Sequence, residues 1–395
     1  MKRRNFLAAT SGLAAYAAVR PSFAATPCPP GQLGVQGGAT AQSSCPASSG
    51  ASDLATLATS MAPGSWAQLN PSNQNAVLGV GSISGTMIHY CNSMPFNPVT
   101  RCIEILAMDH NWGSLRYARY DLATNNFVLV SGDVGLGSFT QHGYDHVEVN
   151  PFTGDLYYRQ YSLNTGTIKC FRKLKSSTAS FSALPTLISA GGAEQVAIGT
   201  SWWSGSFAGG GNQGSYMVFN SGNAVNSASD GQIAAFDPVS NAWFFNKSAM
   251  APNSGSGATY HSLMEYSSVK NVAVYGGGDA APTKLWRLAS NGSFVTMPDV
   301  PAGKAVGMQR GLLVADPVTG NFLLLSAGEL WELNPSGSGS WTKQTGSRVP
   351  PAGVGIPGPS TIQAVICSQI APHGVVAYIT QPQSTGATFF LYKHA

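Results

Sequence analysis

The chain has 395 residues, of which 43% are hydrophobic, 10% aromatic and only 10% charged, and it holds 46 glycines. That composition excludes a disordered chain, because so much apolar surface offsets the entropy of ordering, and the glycines point to many tight turns. The formal net charge of +4 comes from the first 24 residues, whose Lys2, Arg3, Arg4 and Arg20 stand without any acid; setting those four aside lowers the 21 basic residues to 17, against 17 acidic ones. A neutral mature protein has no electrostatic footprint for nucleic acid.

Residues 1–24 read as a signal peptide: a basic start, an apolar stretch to Val19, and small residues Ser22 and Ala24 before the cleavage point. The Arg3-Arg4-x-Phe6-Leu7 run resembles a twin-arginine export signal. No other stretch approaches the roughly 20 apolar residues of a bilayer helix, so a periplasmic or secreted monomer without membrane insertion is expected. Residues 25–61 are rich in Gly, Ser and Ala and read as a linker, with Cys28 and Cys45 expected to pair after export.

From residue 62 onward the chain repeats itself. Aliphatic-aromatic segments begin at Tyr117, Ile168, Ile233, Leu285, Leu330 and Phe389, separated by 51, 65, 52, 45 and 59 residues. After the first five, a polar turn leads to a strand opening with Phe127, Phe181, Trp243, Phe294 or Trp341. Upstream lie hairpins turned at Asn97-Pro98-Val99-Thr100, Asn150-Pro151-Phe152-Thr153-Gly154, Ser267-Ser268-Val269-Lys270, Asp316-Pro317-Val318-Thr319-Gly320 and Ala371-Pro372-His373-Gly374. Four strands per repeat and little helical periodicity predict an all-β, six-bladed β-propeller over 62–395. The last repeat stops after three strands, and the strand at Trp66 is expected to supply the fourth by pairing with Phe389–Tyr392.

The run Val272-Ala273-Val274-Tyr275-Gly276-Gly277-Gly278, followed by Leu285-Trp286-Arg287-Leu288 and Gly292-Ser293-Phe294, resembles the kelch repeats of galactose-oxidase-like propellers. The other repeats keep the aromatics but not the double glycine.

In such a blade the start of the innermost strand and the end of the second share one face. His89, His142, His146 and His261 fall near inner-strand starts and His110 near the end of a second strand, joined by Tyr90, Tyr144, Tyr260, Asp109, Asp145, Arg159 and Arg310. Alternation puts His142, Tyr144 and His146 on one side of one strand, where strand-spaced His could also take a metal with Asp109 or His110. A structural alternative stands beside this: inner-strand His, Tyr and Arg often bond main-chain groups or trapped water around a propeller channel. Trp202 and Trp203 fit either a sugar-lined wall or the core.

Three functions fit the cluster. The first is a lyase that eliminates across a uronic-acid polysaccharide, with His142, Tyr144, Tyr260 and His261 handling protons and Arg159, Arg310, His110, His146 and Tyr90 binding substrate, without a cofactor. Propeller lyases acting on ulvan look similar in using His, Tyr and Arg this way. The second is a copper radical oxidase: Cys91, Tyr144 and Tyr260-His261 are similar in order to the copper site of galactose oxidase, whose extra copper-binding domain has no counterpart here. The third is a non-catalytic module for glycan or protein. Among the remaining cysteines, Cys102 and Cys170 read as buried thiols, and a Cys91–Cys367 bond is open if the ring closes.

Overall fold

The computed structural model describes residues 53–80, 87–88, 91–107, 115–134, 147–162, 167–175, 178–183, 200–203, 216–221, 232–238, 240–246, 262–278, 281–289, 293–307, 310–354, 364–381 and 386–395. All lie in one compact unit, Thr40–Ala395. Helix α1 (Asp53–Ser60) comes first and buries Leu54 and Ala58 in the core. The linker expected up to Met61 therefore ends in packed helix. The β1 strand (Ser65–Leu69) and the short helix α2 (Gln74–Leu78) follow. Among the described residues no helix is long and apolar enough to cross a membrane.

Among the described residues the strands form six four-stranded antiparallel sheets, the blades of a β-propeller. In chain order they are β2 (Phe96–Asn97), β3 (Cys102–Ala107), β4 (Arg116–Asp121) and β5 (Asn126–Ser131); β6 (Val147–Val149), β7 (Leu156–Ser162), β8 (Thr167–Lys175) and β9 (Ser180–Ala183); then β10 (Thr200–Trp203), β11 (Tyr216–Ser221), β12 (Gln232–Asp237) and β13 (Ala242–Asn246). The next are β14 (Leu263–Ser267), β15 (Val272–Gly276), β16 (Leu285–Ala289) and β17 (Phe294–Thr296), then β18 (Gly311–Ala315), β19 (Phe322–Ser326), β20 (Glu329–Asn334) and β21 (Ser340–Lys343). The last joins β22 (Ala364–Ile370), β23 (Val375–Gln381) and β24 (Thr388–Lys393) to β1. Trp66 of β1 registers with Tyr392, and Leu69 with Phe389.

The two inner strands of a blade are covered on both faces, and their sequences show it: β3, β18, β19 and β23 are buried at every position, as continuous apolar runs require. Outer strands keep one wet side, as in β21. Inner strands contact their neighbours in the series β6, β10, β14, β18, β22 and β2. Between the first two blades, Asn97 Nδ2 donates to the Gly154 carbonyl at 2.8 Å.

The hairpin turns read from the sequence form locally. Asn150 Oδ1 accepts from the Phe152 amide at 2.9 Å, and Asp316 Oδ2 from the Thr319 amide at 2.9 Å, each an Asx turn. Gly154 and Gly320 close these turns at φ 73° and 72°. A Cβ at Gly154 would lie 2.9 Å from Val99 Cβ of the preceding blade, so conformation and packing both demand glycine there.

Buried Glu104 ties the first blade together. It accepts from Asn97 and Thr100 at 2.9 Å on Oε1 and from the Tyr117 hydroxyl at 2.9 Å on Oε2, with Arg119 Nε 3.8 Å away. Cys91, Cys102 and Cys367 are buried and stand outside any disulfide, so the Cys91–Cys367 bond left open by the sequence is not formed. Cys91 donates instead to the Ser93 carbonyl at 3.3 Å, and Cys102 stands as the buried thiol expected. Cys28, Cys45 and Cys170's side chain lie outside the described residues.

Candidate functional site

Antiparallel order puts the starts of first and third strands and the ends of second and fourth strands on one face of the propeller. On that face the chain enters β18 through a tight turn that carries Arg310. The Arg310 amide donates to the Gly307 carbonyl at 2.9 Å, and the Arg310 carbonyl accepts from Ser326 Oγ at 3.0 Å. A Cβ at Gly311 would meet the Ala305 carbonyl at 2.0 Å, so glycine lets the turn close against the preceding connection. Arg310 is thus half-buried on a backbone fixed from both sides.

The same strand ends carry further charges that the sequence did not single out. Lys304 and Lys343 flank Glu329 at 3.0 and 2.6 Å. Their hydrogen bonds, that of Lys343 first, hold the Glu329 carboxyl down to about 2. Trp331 Nε1 donates to the same carboxylate at 3.0 Å, and Lys343 Nζ lies 5.8 Å over the Trp331 ring. In the preceding blade Lys284 pairs with Asp299 at 2.6 Å. Lys284, Lys304, Arg310 and Lys343 therefore outnumber the carboxylates Asp299 and Glu329 among the described residues at this end of the two blades.

The chain next to other candidates is also anchored. Ser262, which follows His261, is buried and donates from Oγ to the Gly277 carbonyl at 3.2 Å. Gly277 holds φ 72°, and a Cβ there would meet the Val306 carbonyl at 2.4 Å; the glycine run noted in the sequence is thus a close backbone crossing between two blades. Near the inner edge of the first blade, Ser93 bridges Cys367 in parallel, and the Cys367 amide donates to the Asn92 carbonyl at 3.1 Å. The Asn92 side chain is buried with both its amide atoms without a hydrogen-bond partner, a costly state in a folded protein.

Of the residues expected at the site, Arg310 is described in full, and Arg159 is described in backbone, registering with Phe171 across β7 and β8. Tyr90, His110, His142, Tyr144, His146, Tyr260 and His261 lie outside the described residues, as do the side chains of Trp202 and Trp203. His373 sits in the turn between β22 and β23 on the opposite face, where burial and then Arg101 push its pKa down. Among the described residues no three His, Cys, Asp or Glu side chains gather as a metal site.

No family model matches the sequence, and no curated protein matches it. Among solved structures the chain is similar to a Bacteroides thetaiotaomicron protein of unknown function at 12% identity over 83% of this chain and 75% of the other, with a TM-score of 0.49. It is also similar to virginiamycin B lyase from Staphylococcus aureus at 10% identity, over 82% and 98% of the two chains with a TM-score of 0.40. A third is an α-L-arabinofuranosidase from Fusarium graminearum, at 9% identity over 78% and 98% with a TM-score of 0.46. None of these likenesses bears on function.

Proposed function

We propose that this protein is an exported, closed six-bladed propeller that binds an acidic polysaccharide at the face where its inner strands begin and cleaves it by β-elimination. The observation that supports the reading is Arg310, whose backbone is fixed at that face by bonds to Gly307 and Ser326. Because the mature chain has no net charge, attraction for a uronate must come from such a local group.

In this reading Arg310 or Arg159 pairs with the uronate carboxylate, which acidifies the proton on the adjacent carbon. His142 or His261 takes that proton and the freed pair becomes the ring double bond; the glycosidic C–O bond breaks, and Tyr144 or Tyr260 protonates the leaving oxygen. His110, His146 and Tyr90 position the sugar. No cofactor enters this scheme. The copper alternative would draw on Cys91, whose thiol is buried and bonded to Ser93, and on residues outside those described.

The test is to incubate the purified protein with uronic-acid polysaccharides and follow absorbance near roughly 235 nm, where the unsaturated product absorbs. Rising absorbance that is lost in Arg310→Ala supports elimination. Glycan binding without product leaves the module reading, and peroxide release with stoichiometric copper replaces elimination by the oxidase.

A further inference from the structure

A cleft lies at the seam where β1, near the start of the propeller, pairs with β24 near the end of the chain. It measures about 360 Å³ and runs between the end of β1, helix α2 and the start of β24. That is near the lower bound of ligand clefts, roughly 300 to 1,000 Å³. The strand ends that form it belong to the same face as Arg310. Its lining holds no charged residue and five carboxamides: Gln68, Asn70, Asn73, Gln74 and Asn75.

Each carboxamide carries a donor and an acceptor, and in each one half is committed to the protein. Gln68 Nε2 donates to Asn70 Oδ1 at 3.0 Å, Asn73 Nδ2 to Asn126 Oδ1 at 2.9 Å, and Gln74 Nε2 to the Ala387 carbonyl. Asn75 Oδ1 accepts from the Ala387 amide at 2.9 Å. These bonds fix the amide planes, and what remains over is a mixed set of three acceptors (Gln68, Asn73 and Gln74) and two donors (Asn70 and Asn75). The leftover Gln74 Oε1 is buried and has no hydrogen-bond partner, which is a standing cost until a donor reaches it.

We infer that this cleft is a second saccharide site, one that takes an uncharged sugar unit. A sugar hydroxyl both donates and accepts, so a row of hydroxyls matches a mixed set of amide donors and acceptors without desolvating any charge. A phosphate or uronate would find no cation among the lining residues. A nucleobase would find no ring to stack on, since Phe389 is wholly buried beneath the cleft. Half-buried Pro71 supplies a small apolar surface for the sugar's C–H face. The inference does not depend on the chemistry at Arg310: it needs only this cleft.

Binding is measured by calorimetry and saturation-transfer NMR on the mature full chain, with neutral hexasaccharides of glucose, xylose, arabinose and galactose, an oligogalacturonate and tetra-alanine as probes. At least one neutral hexasaccharide should bind saturably, and the double variant Gln68→Ala/Asn70→Ala, both exposed side chains, should weaken it about tenfold or more while leaving the melting temperature in place. Arg310→Ala should leave this binding unchanged, so loss of elimination activity and loss of cleft binding separate cleanly. The inference is overturned if no neutral hexasaccharide saturates, if the double variant binds as the parent does, or if tetra-alanine competes as well as the sugar.

Discussion

His394 donates a hydrogen bond from Nε2 to Oε1 of Glu332 across 3.0 Å, tying the second-last residue of the chain to the third strand of the neighbouring blade. The other ring nitrogen lies 3.1 Å from the Tyr392 hydroxyl and 3.3 Å from Arg348 Nη1. Glu332 also accepts from Asn321 and from Gln344. The cluster joins β20, β24 and the segment after β21, three stretches far apart in the chain.

Stability should fall in acid through Glu332. Its carboxyl is held at about 2, against an ordinary 4.5, chiefly by the hydrogen bond from His394. A lowered folded pKa means that the contribution is complete above about 4.5 and is lost as pH falls toward 2. Glu332→Gln should cost about 2 kcal/mol near neutrality, and its melting-temperature deficit against the parent should shrink on descending to about pH 3. A deficit independent of pH would contradict this.

The closing strand should be energetically central. Trp66 lies 4.5 Å from the Tyr392 ring and 5.3 Å from that of Tyr378, centroid to centroid, and its indole donates to the Arg348 carbonyl at 3.0 Å. Trp66→Ala should cost about 3 kcal/mol in urea unfolding. Removing residues 62–70 should in addition bring aggregation, because β24 would be left as an open edge; a soluble, monomeric deletion variant by light scattering would argue against that role.

Replacing Glu104 by Ala should be among the most damaging single changes, at about 3 kcal/mol or more. It strands Arg119, Tyr117, Asn97 and Thr100 around a buried void. Glu104→Gln, which keeps an acceptor in place, should recover part of that loss in the same unfolding assay.

Thiol chemistry checks the packing of three cysteines. Burial, with Glu104 nearby, pushes the Cys102 thiol up to about 12, and Cys91 and Cys367 are buried. All three should resist iodoacetamide at about pH 8 in the native protein and label in urea without reductant. Failure of Cys91 and Cys367 to label in urea would reveal a bond between them.

The repeat, the turns and the closing strand were legible in the residues because each rests on short-range physics. An Asx side chain bonds an amide two or three positions on, glycine reaches positive φ where others do not, and a doubly covered strand reads as an unbroken apolar run. Even the pairing of Trp66 with Tyr392 could be inferred, since the last repeat lacked one strand and Gly64-Ser65-Trp66 resembles Gly339-Ser340-Trp341. The candidate site was legible only as a face: strand direction predicts which end Arg310 occupies, but not the turn that holds it or the Lys304–Glu329–Lys343 cluster at the same strand ends. His394 read as a terminal residue and Asn75 as part of a polar loop, yet one is buried against Glu332 and the other bonds Ala387 across 312 positions. Contacts of that span depend on how the blades pack around the ring, and local sequence carries no record of which distant side chain will arrive opposite.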